Sequence, residues 1–360
     1  MDVYEQLREI LDTHPSGAPK SAAFDKILRI LFTPDEASLA VHMSFAPKSI
    51  ESIARAAGIE PVEAEKTLEN LANKAIIFCR DKSGERSYAL LPTIPGLFEF
   101  PLMKGGGTPE TDELGKLWEE YHHDGLSAAF SGSPTPVARV VPVNKSIEPK
   151  DRVHPYEEIA KMIEDADYIA VTQCACRVSI GKCDAPKDVC MIFGPAARFL
   201  VSRGFGREVD KKEGLETLDR AEKAGLLHTS NNSSDRANFI CNCCPCCCTI
   251  LRGRTSLNLP HAFATSPFEA SVDEGECTGC GVCAEERCPM GAIEMRNDVA
   301  VVYGENCIGC GLCVTECPTE AIKLVRRLDQ PEISSNIREM GLKVAKEKGK
   351  LETFIKIMQR

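Results

Sequence analysis

The sequence predicts a multidomain α+β chain, and three observations predict it. Residues 1–100 carry helical periods that end in one short hairpin, residues 151–265 mix helical and strand-like stretches around ten cysteines, and residues 266–325 hold one four-cysteine pattern twice. A connector over 101–150 and a terminal helix over 326–360 complete the expected layout. The 360 residues leave room for roughly two to four compact units, each with its own core or metal staple. The start, Met1-Asp2-Val3-Tyr4-Glu5, is acidic where a signal peptide is basic and then apolar, and no apolar run reaches membrane-spanning length. A soluble cytoplasmic protein without a membrane span is therefore expected. Nineteen cysteines in such a chain point to metal ligation in a reducing, low-oxygen cell rather than to disulfides.

In the first unit, residues 49–57, Gly58 and residues 61–74 read as two helices about a glycine turn, with Ile50, Ile53, Ala54, Leu68, Leu71 and Ala72 on their buried faces. Residues 75–79 and 87–91 flank Asp81-Lys82-Ser83-Gly84, a hairpin placed where a wing belongs. This pattern resembles a winged helix over residues 1–100. Beside metal centres it suggests a redox-sensing regulator, but charge opposes DNA. The would-be recognition helix carries Glu63, Glu65 and Glu69 against Lys66 and Lys74, and residues 1–100 hold fifteen acidic and eleven basic side chains. DNA affinity depends on neutralising phosphate, so no nucleic-acid partner is expected and the unit reads as a docking or dimerisation module. Cys79, far from the other cysteines, reads as a small buried apolar residue.

The connector has a flexible joint at Lys104-Gly105-Gly106-Gly107, one helix over 111–129 and a Ser- and Pro-rich stretch over 131–149. Trp118, Tyr121, His122 and His123 read there as packed aromatics with solvated histidines, a site being the alternative.

The middle unit presents Cys174, Cys176, Cys183 and Cys190, then Cys241, Cys243, Cys244, Cys246, Cys247 and Cys248. In an extended stretch residues two apart face the same way, so Cys174 and Cys176 suit one centre, whereas the adjacent Cys243 and Cys244 point apart. Residues 156–164 read as helix, 168–172 as strand, and Asp210 caps a helix over 211–224 that Gly225 ends. The cysteines fall on loops, and both loops are expected to converge on one metal centre. His228 reads as a hydrogen-bonded structural histidine, with tuning or ligation of a cluster as the alternative.

In residues 266–325, Cys277, Cys280, Cys283 and Cys288-Pro289 are followed by Cys307, Cys310, Cys313 and Cys317-Pro318. This is a ligand set for two [4Fe-4S] clusters: iron there is soft and takes thiolates, and two-residue spacing lets one loop present three thiolates to one cubane. A Pro-x-x-Ala-Ile turn ends each copy, and residues 294–303 read as a hairpin about Asn297-Asp298. A zinc ribbon would use about four ligands, not eight with triple two-residue spacing. Glu-Cys-Thr-Gly-Cys-Gly-Val-Cys and Asn-Cys-Ile-Gly-Cys-Gly-Leu-Cys closely resemble the bacterial two-cluster ferredoxins. That resemblance implies crossed ligation: Cys277, Cys280, Cys283 and Cys317 on one cluster, Cys307, Cys310, Cys313 and Cys288 on the other. Gly281 and Gly311 would let backbone amides approach cluster sulfur. Four residues separate Cys283 from Cys288 where the family usually has three, and the extra one is expected to bulge the loop.

With that neighbour, the middle cysteines also read as iron-sulfur ligands for one or two further clusters, zinc and redox-active dithiols being the alternatives. Cys174 to Arg177 and Cys241 to Cys248 resemble a group of anaerobe iron-sulfur proteins in which such stretches precede a two-cluster ferredoxin domain. The resemblance brings no reaction with it. Ten thiols exceed the eight that two ordinary cubanes use, which leaves room for spare thiols, a structural pair or an open-coordination cluster. No Walker loop or Gly-x-Gly-x-x-Gly turn follows a strand, and Gly204-Phe205-Gly206 lacks the third glycine, so no nucleotide or flavin site is indicated.

Residues 270–325 hold ten acidic and three basic side chains, so redox partners with a basic docking surface are expected. Residues 326–360 reverse the balance, with nine basic and five acidic side chains. Ile337, Met340, Val344, Leu351, Ile355 and Met358 form an amphipathic helical stripe that packs on its own protein or docks on a partner subunit, and Gly349 ends or kinks it. The sequence therefore reads as a multi-cluster electron-transfer subunit between a reductase and a partner oxidoreductase, in a complex or homo-oligomer. The alternatives are an enzyme that reduces a substrate at a middle-unit cluster and a redox-sensing regulator.

Overall fold

The structure is a computed structural model that describes residues 2–148, 154 and 157–360; the expected boundary between 150 and 151 and the expected helix start at Tyr156 lie outside the described residues. Helices α1 (Val3–Asp12), α2 (Ala22–Leu31) and α3 (Pro34–Ala40) open the chain. The Ser21 hydroxyl caps α2, and Thr33 with Glu36 closes a reciprocal capping box on α3. Next come β1 (Lys48–Ser49), α4 (Ile50–Ala57), α5 (Pro61–Asn73), β2 (Ile77–Lys82) and β3 (Glu85–Leu90). Gly58, at φ 70°, turns the chain between α4 and α5 in the left-handed region. The strands pair in the order β1-β3-β2, and Ile53, Ala54, Leu68, Leu71, Ala72 and Cys79 are buried beneath them.

The region expected to be a connector is part of the core. Between α6 (Glu99–Leu102) and α8 (Ser127–Phe130), α7 (Pro109–Tyr121) ends before the wide turn His122–Leu126, so the single helix expected over 111–129 is broken. Tyr121 stacks on Phe24 at 4.5 Å, and Trp118, Tyr121 and His122 are buried. Further on, β4 (Ala138–Val141) lies inside the Ser- and Pro-rich stretch. All four of its residues are buried, so it lacks the polar alternation that announces a strand.

A six-stranded antiparallel sheet, β4-β8-β9-β6-β5-β7, frames the middle of the chain. Its other strands are β5 (Ile169–Thr172), β6 (Cys190–Phe193), β7 (Arg207–Val209), β8 (Leu227–Asn231) and β9 (Phe239–Cys243). One face meets α11 (Gly194–Ser202) through Ala170 and Ile192 with Phe199 and Leu200; the other meets α9 (Ile159–Glu164) and α12 (Lys211–Lys223) through Val171, Met191 and Ile240 with Ile163 and Leu218. Asp210 accepts the Glu213 N–H to start α12, and Gly225, at φ 72°, follows its end. Two short helices, α10 (Ala175–Ile180) and α13 (Thr249–Thr255), begin directly after Cys174 and Cys248.

In the last third, β10 (Phe268–Val272), β11 (Ile293–Arg296), β12 (Val299–Val302), α14 (Leu312–Thr315) and β13 (Ile322–Arg326) build two antiparallel pairs, β10-β13 and β11-β12. Asn297 and Asp298 take φ 50° and 61° at the tip of the second pair, as a two-residue hairpin of this twist requires. The terminal stripe forms two helices, α15 (Ile337–Glu347) and α16 (Leu351–Gln359), separated at Gly349 with φ 67°. Met340, Val344 and Ile357 are buried, Ile355 is exposed, and Lys350 pairs with Asp12 at 2.8 Å, so this tail packs on its own chain. Among the described residues no helix is long and apolar enough to cross a membrane.

The middle and last parts are tied by Arg326, whose two terminal nitrogens donate to the Glu157 carboxylate at 3.0 and 2.8 Å. Glu157 is only 3% exposed. Removing the cation alone strands a buried charge, so Arg326→Met is expected to cost about 3 kcal/mol in chemical denaturation, and Glu157→Leu in the same chain is expected to restore at least half of it.

Candidate metal centres

The eight thiols of the repeat face two cavities. Cys277, Cys280, Cys283 and Cys317 line one, with Val272, Ala300 and Ile322; Cys288, Cys307, Cys310 and Cys313 line the other, with Ala270, Ile293 and Leu324. Each cavity thus takes three thiols from one loop and its fourth from the end of the other copy. The Pro-x-x-Ala-Ile turns do this: each folds back so that amides behind it reach the fourth thiol. The Ala292 N–H donates to Cys288 Sγ at 3.2 Å. Burial acts to raise the Cys317 thiol, but N–H groups of Ile322, Thr319 and Ala321 hold it below the usual range. From strand β10 the Ala270 N–H reaches Cys307 Sγ at 3.5 Å.

Donors aimed at sulfur and cavities of four thiols fit an iron-sulfur cluster. Residues 276–322 match the 4Fe-4S dicluster domain family. This part of the chain is a ferredoxin-type iron-sulfur domain, and it binds 4Fe-4S clusters. No curated protein matches the chain. The extra residue between Cys283 and Cys288 is taken up by a single wide turn, Cys283–Arg287, where the second copy has the tighter α14. The two cavities differ in exposure: Cys280 is exposed and Cys277, Cys283 and Cys317 are half-buried, whereas Cys307, Cys310 and Cys313 are buried. Burial pushes the Cys310 thiol up to about 12, so it becomes a thiolate only against a bound cation.

The ten middle thiols divide into two groups, not the single shared centre the sequence suggests. Cys183, Cys244, Cys246 and Cys247 place their sulfurs within 4.8 Å of one another. The remaining six act on one another electrostatically in a closed series, a six-thiol ring: Cys174 with Cys176 and Cys190, Cys190 with Cys241, Cys241 with Cys243, and Cys248 with both Cys243 and Cys176. Strand geometry explains the division. Cys241 and Cys243 lie two apart on β9 and face one side, while Cys244 turns to the other. Cys190, on the neighbouring β6, reaches the same side. Four ring members, Cys176, Cys190, Cys241 and Cys243, thus lie within strands or a helix rather than on loops.

Arg177 lies between the groups. It is 1% exposed, and its Nη1 donates to the Asn242 carbonyl at 2.9 Å and to Cys244 Sγ at 3.7 Å. Its charge also acts on Cys174 and Cys190. Its Nε and Nη2 are buried without a hydrogen-bond partner among the described residues. Such a guanidinium is costly to bury unless anionic sulfur surrounds it, so these donors fit a bound cluster. Interaction with the neighbouring Cys174 and Cys241 thiols holds the Cys190 thiol well below its usual range. Thr249 and Thr229 hydroxyls lie 3.6 Å from Cys176 and Cys243.

Other candidates are structural. His228 Nδ1 donates to Asn242 Oδ1 at 2.6 Å, and burial pushes its pKa down to about 4, so it is a neutral histidine that orients β9. Glu119, His122 and His123 lie together, but Arg252 already holds the Glu119 carboxylate through two bonds of 2.7 and 2.6 Å, and His122 Nε2 bonds the Thr249 carbonyl. No role for Arg177, Asn242 or Thr249 is legible in the sequence. The available signal was their place inside or beside the Cys-x-Cys-Arg and Cys-Asn-Cys stretches.

Gly309, at φ 67°, lies against the Phe268 carbonyl and the Ser266 hydroxyl, and an added Cβ would collide with both. Gly309→Ala is therefore expected to lower the thermal midpoint by several degrees and to weaken visible cluster absorbance, whereas Gly275→Ala on the exposed rim leaves both nearly unchanged.

Proposed function

We propose that the chain is a multi-cluster electron-transfer subunit that passes electrons between a reductase and a partner oxidoreductase. The observation that carries this reading is the continuity of the thiol sites. Cys310, from the buried ferredoxin cavity, shares one apolar cluster with Cys243 and Cys248 of the six-thiol ring, packed by Val140, Leu227 and Ile308. The outer cavity adjoins the inner one through a second apolar cluster that holds Cys283, Cys313, Ile293 and Ile322. The clusters supply one-electron chemistry; the chain sets their order and exposure. Electrons would enter or leave beside Cys280 and travel inward to the ring.

On this reading Cys277, Cys280, Cys283 and Cys317 hold the outer cluster, Cys288, Cys307, Cys310 and Cys313 hold the inner one, and Cys174, Cys176, Cys190, Cys241, Cys243 and Cys248 surround a third. Glu274, Glu276, Glu285 and Glu286 are exposed around the outer site, which favours partners with a basic docking surface. The helices and hairpin of residues 48–90 have the order of a winged helix and would serve as a docking module. The exposed face of α5 carries Glu63 and Glu65 against Lys66, so a regulator reading predicts salt-sensitive operator binding that this charge opposes. The six-thiol ring supports one further reading, a nonstandard cluster with an open iron that reduces a substrate, since six thiols exceed the four that an ordinary cubane takes.

Two experiments test the relay in the full chain. Cys317→Ala should remove about four irons and abolish the outer cluster's signal while the inner one persists; loss of the inner signal instead would reject the crossed ligand assignment. Flash photoreduction of the reconstituted protein should first reduce the exposed cluster and then show a concentration-independent phase as the ring centre is reduced. That second phase should vanish in Cys310→Ala, and its survival at the original rate would sink the proposed order.

A further inference from the structure

We propose that Cys183, Cys244, Cys246 and Cys247 form a tetrathiolate site for a single zinc ion, separate from the iron-sulfur centres and outside the electron path. The distances carry the argument. Four thiolates about 2.3 Å from one zinc stand at the corners of a tetrahedron whose edges are about 3.8 Å. Cys183 Sγ lies 3.7 Å from Cys244 Sγ and 3.8 Å from Cys247 Sγ, and Cys246 Sγ lies 3.8 Å from Cys247 Sγ. All four fall within 4.8 Å of one another. A cubane gives each thiolate its own iron at a separate corner, so its ligands stand apart by the width of the cluster. Four sulfurs this close have room for one ion and none for four irons with their sulfides. The ferredoxin thiols differ in this respect, since they line open cavities.

The surroundings suit a closed structural site. Val189, Ala221 and Leu226 pack against Cys244 and Cys247 in an apolar cluster of their own, distinct from the one that joins Cys310 to the six-thiol ring. Zinc with four thiolates is a net dianion, and Arg177 Nη1, 3.7 Å from Cys244 Sγ, offsets part of that charge. The thiol protons leave to solvent on binding, and no redox partner is needed. Cys183 comes from the first cysteine loop and the other three ligands from the second. A zinc ion there fastens together the two segments that carry the six-thiol ring, and so fixes its shape without titrating with potential.

The test uses the full chain produced without oxygen in medium containing both iron and zinc. One zinc per chain should survive gel filtration, and cobalt(II) in its place should give the intense visible bands of a tetrahedral thiolate complex. Cys246→Ser should lose zinc while iron and acid-labile sulfide stay at the wild-type count, and Cys246→His, which preserves a zinc ligand, should retain it. Folded protein without zinc, loss of about four irons and four sulfides in Cys246→Ser, or a single iron without sulfide at this site would each overturn the assignment. If Cys246→Ser does not fold, the cobalt spectrum of the wild-type chain decides. Iron and sulfide in the ferredoxin domain are read in the same samples, so failure here is distinct from failure of the relay.

Discussion

Burying many sulfurs that must be anionic to bind metal is the constraint on which the rest of this structure depends. A thiolate taken out of water needs a cation or a hydrogen-bond donor, and the fold supplies donors locally. In the ferredoxin domain they are backbone amides: Ala270 on β10 reaches Cys307, and Ala292, in the turn that the proline after Cys288 opens, reaches Cys288. In the middle side chains join the amides: the Arg177 guanidinium and the Thr229 and Thr249 hydroxyls. The difference follows from secondary structure. Strand amides of β6 and β9 are already committed to the sheet, so sulfur there must be met by residues from neighbouring elements.

The same requirement gives the peripheral parts a role. Arg252 fastens α13, which begins after Cys248, to Glu119 on α7; burial acts to raise the Glu119 carboxyl, but the guanidinium holds it down to about 2. Arg326 clamps β13 to Glu157, and Lys350 holds the terminal helices against Asp12. These bonds lie at a distance from the thiols, yet they fix the helix starts and strand ends on which the thiols stand. The region expected to be a loose connector is therefore packed because α7 and β4 are walls of the six-thiol ring's surroundings. Apolar continuity from Ile308 through Leu227 to Cys243 also lowers the local dielectric between the inner ferredoxin thiols and the six-thiol ring, which keeps charge effects there strong.

Local signals made much of the molecule legible in the sequence. Two-residue cysteine spacing, the thirty-residue repeat and the proline turns point to the ferredoxin domain because those ligands are nearly contiguous in the chain. Gly58, Asp210 and Asn297-Asp298 mark turns and caps because backbone conformation at such positions is a short-range property. Less was legible in the middle unit. Its ten thiols were visible as candidate metal ligands, but their division into six and four depends on β6 lying beside β9 and on which face of β9 each cysteine takes. The fully buried β4 gave no alternation to read, and Gly349 marked the break in the terminal helix without saying where the two halves would pack.

The sequence by itself determined which atoms are candidates to bind metal, since thiol chemistry and short spacings are written in the chain. Only the tertiary structure decided how those atoms are shared among centres, because grouping depends on contacts between Cys183 and Cys244, or Cys176 and Cys248, that lie more than sixty residues apart and are set by sheet order rather than by local spacing.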